Sequence, residues 1–270
     1  NDARLIGTTL KSLGFEVYIH ENADQKTMKR AIRDFGEKLE SAGEDAVGFF
    51  YFSGHGLQSE GENYLQPIGA EELRGEADVE IEMVSANAIL KQMEFARNGL
   101  NIVILDACRT NPFSRGFRSA QNGLAKMDGP TGSILAYSTA PGTVAYDGRS
   151  DNSPYAGALA KAMLMPNIPV ETVFKKVRIS VINETDEKQV PWESSSLTGE
   201  FMFNKIQLPA AEVVVSAPDP DEDFWQSIKD SDDTTLVRSY LVKFPNGKYL
   251  NEAAIRLNSL LAAKAAAERK

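Results

Sequence analysis

Apolar residues along the chain fall into two alternating rhythms from the first residues to about residue 205. Ile6, Leu10 and Leu13 recur at helical spacing, and Phe15, Val17 and Ile19 then alternate with polar neighbours as a half-buried strand does. Met28, Ile32, Phe35 and Leu39 return to a helical stripe, and Ala46-Val47-Gly48-Phe49-Phe50-Tyr51-Phe52 is a continuous apolar run. Such a run is the pattern of a strand covered on both faces. Ser85 can cap a helix carrying Ile89, Leu90 and Met93. Leu100 to Leu105 reads as a second buried strand and Ser133 to Ser138 as a third. Ser153, with Pro154 at the first helical position, opens another helix. Val170, Val173, Val177 and Val181 line the next helix, and Phe201-Met202-Phe203 reads as a short closing strand. Strands alternating with helices predict an α/β fold with a mostly parallel sheet, occupying residues 1–205.

Over residues 206–222 that rhythm stops. Leu208-Pro209-Ala210-Ala211 and Pro218-Asp219-Pro220-Asp221 have the composition of an extended, Pro/Asp-rich linker. Residues 223–270 then predict a small helical appendage. Phe224, Trp225 and Ile228 mark its first helix, and Leu236, Tyr240 and Leu241 the next. A Pro245-Asn246-Gly247 turn leads into an alanine-rich helix with Leu250, Ile255, Leu257 and Leu261. The unit resembles a single helical hairpin of tetratricopeptide type. One copy is too short for a solenoid, so it is expected to dock a protein partner or a second copy of itself.

Composition narrows the function classes. With 42% hydrophobic and 25% charged residues the chain can bury a sizeable core, and its net charge of −9 argues against general binding to nucleic acid or anionic membrane. No apolar run approaches the roughly 18–20 residues of a membrane span. The sequence starts at Asn1 without a signal-peptide pattern, which leaves localisation open with the cytoplasm favoured. A single cysteine, Cys108, excludes an internal disulfide and a Cys-rich zinc site. His20 and His55, the two histidines, lack carboxylates at the spacing a zinc site needs, so no metal or other cofactor is expected, and His20 reads as a surface or structural residue.

Two motifs follow buried strands, where open α/β sheets carry their active sites. Tyr51-Phe52-Ser53-Gly54-His55-Gly56 follows the first apolar run, and Leu105-Asp106-Ala107-Cys108-Arg109 follows the second. If those strands are neighbours, imidazole and thiol emerge at one edge. A thiol becomes a nucleophilic thiolate near neutral pH when an imidazole accompanies it. The backbone N–H groups of Gly56 and Cys108 are the natural donors to a tetrahedral oxyanion. No side chain is needed as a third member, since a backbone carbonyl can orient the imidazole.

Ser-Gly-His-Gly and Asp-Ala-Cys-Arg, about 50 residues apart, resemble the caspase superfamily. The resemblance runs from Asn1 to about Asn204 and includes Tyr137-Ser138-Thr139-Ala140-Pro141-Gly142, Ser153-Pro154-Tyr155 and Gln189-Val190-Pro191. It implies a caspase-like three-layer α-β-α sandwich, here followed by a small C-terminal α-helical hairpin. It also implies a cysteine endopeptidase with His55 and Cys108 as its catalytic pair. In this family the strand at 133–142 lines the substrate groove, so Ser138, Thr139 and Ala140 are expected to take a peptide by backbone hydrogen bonds. A strand preceding Asp2 is implied as well. The sequence does not include it, and a sheet without it would keep an open edge.

Specificity follows from the same resemblance. Caspases proper carry Gln two places before the cysteine and hold aspartate with arginines, whereas this chain has Asp106 there. It looks more like the metacaspase and paracaspase branches, in particular the bacterial enzymes, which cleave after Arg or Lys. The resemblance places further acidic S1 positions at Asp2 and Asp147, with a helix cap and a turn residue as their respective alternative readings. Clustered carboxylates repel one another, and a guanidinium relieves this with bidentate hydrogen bonds. A buried ion pair left half-made costs about 3–5 kcal/mol, enough to disfavour neutral or acidic P1 side chains. The expected partners are therefore protein or peptide substrates with a basic P1 residue.

In this family the linker equivalent to residues 111–132 is often cut on activation, which makes Arg115, Arg118 and Lys126 candidates for self-cleavage. Glu71, Glu72, Glu76, Asp78, Glu80 and Glu82 form one acidic excursion. Metacaspases are frequently calcium-dependent, but this spacing is not that of a calcium loop and reads as solvated surface. The rival reading is a catalytically silent caspase-like scaffold acting through its C-terminal helices.

Overall fold

The computed structural model describes residues 1–108, 124–140, 151–206 and 219–267, with Cys108 and residues 265–267 described through their backbone alone. The chain divides into two compact units, 1–206 and 207–270. In the first unit the elements run α1 (Asp2–Ser12), α2 (Gln25–Ala42), β1 (Val47–Ser59), β2 (Glu62–Leu65), α3 (Ala77–Glu82), β3 (Val84–Ser85) and α4 (Asn87–Ala96). They continue through β4 (Leu100–Cys108), β5 (Ser133–Tyr137), α5 (Pro154–Met163), α6 (Val170–Glu184) and β6 (Trp192–Ser195).

Alternation along the strands explains the layers. On β4 and β5, Ile102, Ile104, Ile134 and Ala136 join Ile6 and Leu10 of α1 and the buried faces of α5 and α6. Val103, Leu105, Leu135 and Tyr137 point the other way, into a second core with Ile32 and Leu39 of α2 and Ile89, Leu90 and Met93 of α4. The sheet is thus buried on both faces, a caspase-like α-β-α sandwich whose central strands have no polar side to show. Caps start the helices where the sequence predicts them. Asp24 accepts from the Thr27 N–H at 2.8 Å to open α2, and Ser153 accepts from the Ala156 N–H at 3.0 Å to open α5, with Pro154 in its first turn.

The sheet order is β3-β2-β1-β4-β5-β6. β1, β4 and β5 are parallel, while β2, β3 and β6 are added antiparallel, so the sheet is mixed, with its parallel part at the centre. These three added strands are two to four residues long, too short to register as alternation. Phe15 to Ile19 is not a strand. Phe15 and Val17 pack on the first core while Tyr18 and Ile19 are exposed, and this one-sided packing produces the same alternation. Among the described residues β1 pairs with β4 alone from Val47 to His55 and takes up β2 only from Gly56. Phe201 to Phe203 also forms no strand. Phe201 accepts a backbone bond from Val170 N–H at 2.8 Å, and its ring and that of Phe203 pack edge to face.

The second unit holds three helices among its described residues, α7 (Pro220–Ile228), α8 (Thr234–Lys243) and α9 (Leu250–Ala267). α7 begins inside the span read as linker because Asp219 caps it, accepting from the Asp221 N–H at 3.1 Å. Its core is Trp225, Ile228, Val237, Tyr240 and Ala253. Leu236 and Ile255, read as core positions, are exposed. Val237 and Tyr240, three apart, set the buried face of α8 and turn Leu236 outward.

Candidate active site

The two sequence motifs, as far as Gly56 and Cys108, lie on strands and not in loops beyond them. β1 continues through Ser53-Gly54-His55-Gly56, and β4 continues to Cys108. Their parallel register pairs Ser53 with Asp106, Gly54 with Ala107 and His55 with Cys108, the last pair of the ladder. Cα partners on neighbouring strands stand about 5 Å apart, so the imidazole-bearing and thiol-bearing residues share one strand end. After His55 the backbone leaves β4 for the hairpin with β2, and the Gln66 N–H donates to the His55 carbonyl at 2.9 Å. His55 itself is exposed. Gly56 is buried, and a Cβ there would lie 3.2 Å from the Tyr64 carbonyl oxygen and 3.3 Å from Ala107 Cβ. That close approach explains a glycine beside the histidine. The N–H groups of Gly56 and Cys108, the candidate oxyanion donors, belong to the two strands at this end.

Beside this end, α1, β1, β4 and α5 converge on a group of carboxylates and hydroxyls. Asp2 is not the cap of α1, a place held by Asn1. Its carboxylate reaches β1 and α5 instead, with Oδ2 accepting from the Ser53 hydroxyl and Oδ1 from the Ser153 N–H, both at 3.0 Å. Asp106 is 6% exposed, and its Oδ2 accepts from the Tyr51 hydroxyl at 2.9 Å and the Ser153 hydroxyl at 2.7 Å. Ser153 therefore bonds both aspartates. Burial pushes the Asp106 carboxyl above its ordinary value. The hydroxyls of Ser153, Ser138 and Tyr51 pull it back, and the charge of Asp2 adds to the rise. Burial, then Asp106, raises the Tyr51 phenol well above its usual value. Tyr51, Ser53 and Ser153 were not singled out in the sequence as pocket residues. A tyrosine within an apolar run was the available signal, since a buried phenol needs a partner. Asp147 lies outside the described residues.

The expected groove residues are largely enclosed. Ser138 and Thr139 are buried and Ala140 is partly so. β5 is flanked by β4 and β6, so it offers no edge from Ile134 to Tyr137. The Ser138 N–H donates to the Leu105 carbonyl at 3.2 Å, and its carbonyl accepts from the Gln189 side chain at 2.8 Å. Strand addition along 133–138 would therefore have to displace neighbours already present.

Of the candidate self-cleavage positions, Arg115 and Arg118 lie outside the described residues. Lys126 is exposed, 3.7 Å from Asp128, but its neighbours are anchored. Asn63 of β2 clips Ala125 twice, donating to its carbonyl at 2.8 Å and accepting from its N–H at 2.6 Å. Leu124 and Met127 are buried, and the Met127 N–H donates to the Tyr137 hydroxyl at 3.0 Å. In the acidic excursion, Glu71, Glu76 and Asp78 accept from Gly69, Ser59 and Arg74 nearby. Among the described residues no group of three or more His, Cys, Asp or Glu is arranged to hold a metal ion, and no helix is long and apolar enough to cross a membrane. His20 is exposed.

A sequence model of the caspase domain, peptidase family C14, matches residues 1–202. Among solved structures that match is the crystal structure of caspase-1 from Spodoptera frugiperda, at a TM-score of 0.55. The match covers 77% of this chain and 82% of that one at 19% sequence identity, a likeness of fold. No curated protein matches the sequence.

Proposed function

Because the chain belongs to the caspase-domain family of cysteine peptidases, we propose that it is an endopeptidase cleaving after Arg, and secondarily Lys, through Cys108 and His55. The pairing of His55 with Cys108 at the end of the β1–β4 ladder supports the catalytic assignment. His55 takes the thiol proton and the thiolate attacks the scissile carbonyl carbon. The N–H groups of Gly56 and Cys108 receive the developing oxyanion, and the imidazolium then protonates the leaving amine. Water, activated by the same imidazole, hydrolyses the thioester and restores the thiol.

The observation that carries the P1 preference is the convergence of Asp2 and Asp106 on Ser153. Two carboxylates in one pocket favour a guanidinium, which can bond to both. Hydrolysis of matched fluorogenic peptides ending in Arg, Lys, Asp or Ala, with Cys108→Ala as control, tests the whole reading. Cleavage after Arg that vanishes in the variant is expected. Equal cleavage after Asp would sink the P1 assignment, and failure of a peptide electrophile to acylate Cys108 would leave the scaffold reading. Activity is expected to survive chelation, and its loss would point to the calcium dependence known in metacaspases. Self-cleavage, if the 111–132 segment is cut, is expected after Arg115, Arg118 or Lys126, and cutting at Lys126 would require its neighbours to be unclipped first. Intact-mass analysis reads the site.

A further inference from the structure

We infer that Ser153 and Tyr51 are positioning residues of the acidic pocket, holding Asp106 and Asp2 in the arrangement that a basic P1 side chain meets. The inference rests on the basic-P1 reading and extends it to residues that touch no substrate. Ser153 opens α5, and a capping serine needs only to accept. Its Oγ takes the Ala156 N–H at 3.0 Å, which leaves its single proton to be donated elsewhere. That proton goes to Asp106 Oδ2 at 2.7 Å, while the backbone N–H of the same residue goes to Asp2 Oδ1 at 3.0 Å. The cap fixes the rotamer that serves Asp106, and the helix start fixes the amide that serves Asp2. Tyr51, on β1, adds a second hydroxyl to the same Asp106 oxygen at 2.9 Å. Two donors on one oxygen hold the plane of the carboxylate. The titratable groups acting on Asp106 and Tyr51 are Asp2 from α1 and Tyr155 from α5, together with each other.

Two substitutions isolate the hydroxyls. Ser153→Gly keeps an acceptable helix start and the amide to Asp2 but removes the proton given to Asp106, and Tyr51→Phe removes only an oxygen. Each is expected to raise KM for an Arg-terminated peptide about tenfold, the scale of one hydrogen bond to a charged group, with kcat within about twofold. Ser153→Thr, which keeps the hydroxyl, restores KM. A role in stability alone would neither separate KM from kcat nor be restored by threonine. The companion measurement needs no turnover. In carbon-13 spectra of the full chain, with Asp106→Asn to assign the resonance, the Asp106 carboxyl is expected to titrate at higher pH in both variants.

Wild type cleaving after Arg, with variants unchanged in KM and titration, overturns the inference and leaves the P1 reading standing. Wild type indifferent to Arg overturns the P1 reading. The carboxyl titration then still decides whether these hydroxyls hold Asp106.

Discussion

Tyr51 donates to Asp106 in the sheet unit, and Tyr240 donates to Asp221 in the helical unit, but the two carboxylates live in different surroundings. Asp106 is buried, and burial raises its carboxyl. Asp221 is only partly buried, and it also accepts from the Lys248 N–H at 2.7 Å, while the Tyr240 hydroxyl accepts from the Tyr249 N–H at 3.0 Å. That second pair ties α7, α8 and the entry to α9 together. Gly247 presses against it so closely that a Cβ would lie 2.6 Å from the Tyr240 hydroxyl and 3.0 Å from either Asp221 oxygen. The same pairing is thus a clasp where the carboxylate is partly exposed, and it surrounds a carboxyl whose charged form burial opposes where the carboxylate is enclosed.

The largest effect should come from removing that charge. A carboxyl raised by burial holds its proton more tightly in the native chain than in the unfolded one. Its contribution to stability is therefore fully present below the ordinary aspartate value, and is lost as pH rises through the higher native value. Once ionised, the buried Asp106 carboxylate opposes folding. Asp106→Asn should lower kcat/KM for Arg-terminated peptides by about a hundredfold or more, the scale of a lost buried charge pair, and raise the melting temperature at pH 7. A lower melting temperature would make Asp106 a structural residue like Asp221 and erase the contrast.

The helical clasp should answer in the opposite sense. Tyr240→Phe strands the Tyr249 N–H and one oxygen of Asp221, and should cost the helical unit about 1–3 kcal/mol in denaturant unfolding, with peptide cleavage unchanged. Gly247→Ala should act in the same direction, because the new methyl meets both partners of the pair. Loss of peptidase activity in either variant would mean that the helical unit takes part in catalysis.

The two units also differed in how far the sequence could be read. Long elements of the sheet unit announced themselves, since Phe49 to Phe52 and Ile102 to Leu105 are apolar on both faces and the stripes of α2 and α6 span several turns. β2, β3 and β6 did not, because two to four residues carry no period. Phe15 to Ile19 misled because packing on one side imitates a strand. In the helical unit the alanine-rich α9 carries apolar residues all round, so pattern alone could not choose Ala253 over Ile255 as the buried position. His55 and Cys108 were legible from their motifs, and Asp2 and Asp106 from the family likeness. Ser153 was legible only as a cap. Its second use depends on β4 and α1 meeting the start of α5, which no local pattern encodes.

Asn63 sharpens the comparison from a third side, as a buried polar group whose bonds carry no charge. It is fully buried, and it satisfies both its amide oxygen and its amide nitrogen on the backbone of Ala125, in the manner of one extra rung of sheet. Such a neutral, doubly paired group should neither cost stability as Asp106 does nor respond to pH. Asn63→Ala loses both bonds, frees the Ala125 N–H and carbonyl, and leaves Leu124 and Met127 to hold the segment by burial alone. The expected effect is small globally and sharp locally. Limited digestion of Cys108→Ala with trypsin should spare the Lys126–Met127 bond while Asn63 is present, and cut it several-fold faster in the double variant. Equal cutting in both would show that burial of Leu124 and Met127 suffices and that the clip does not shield Lys126.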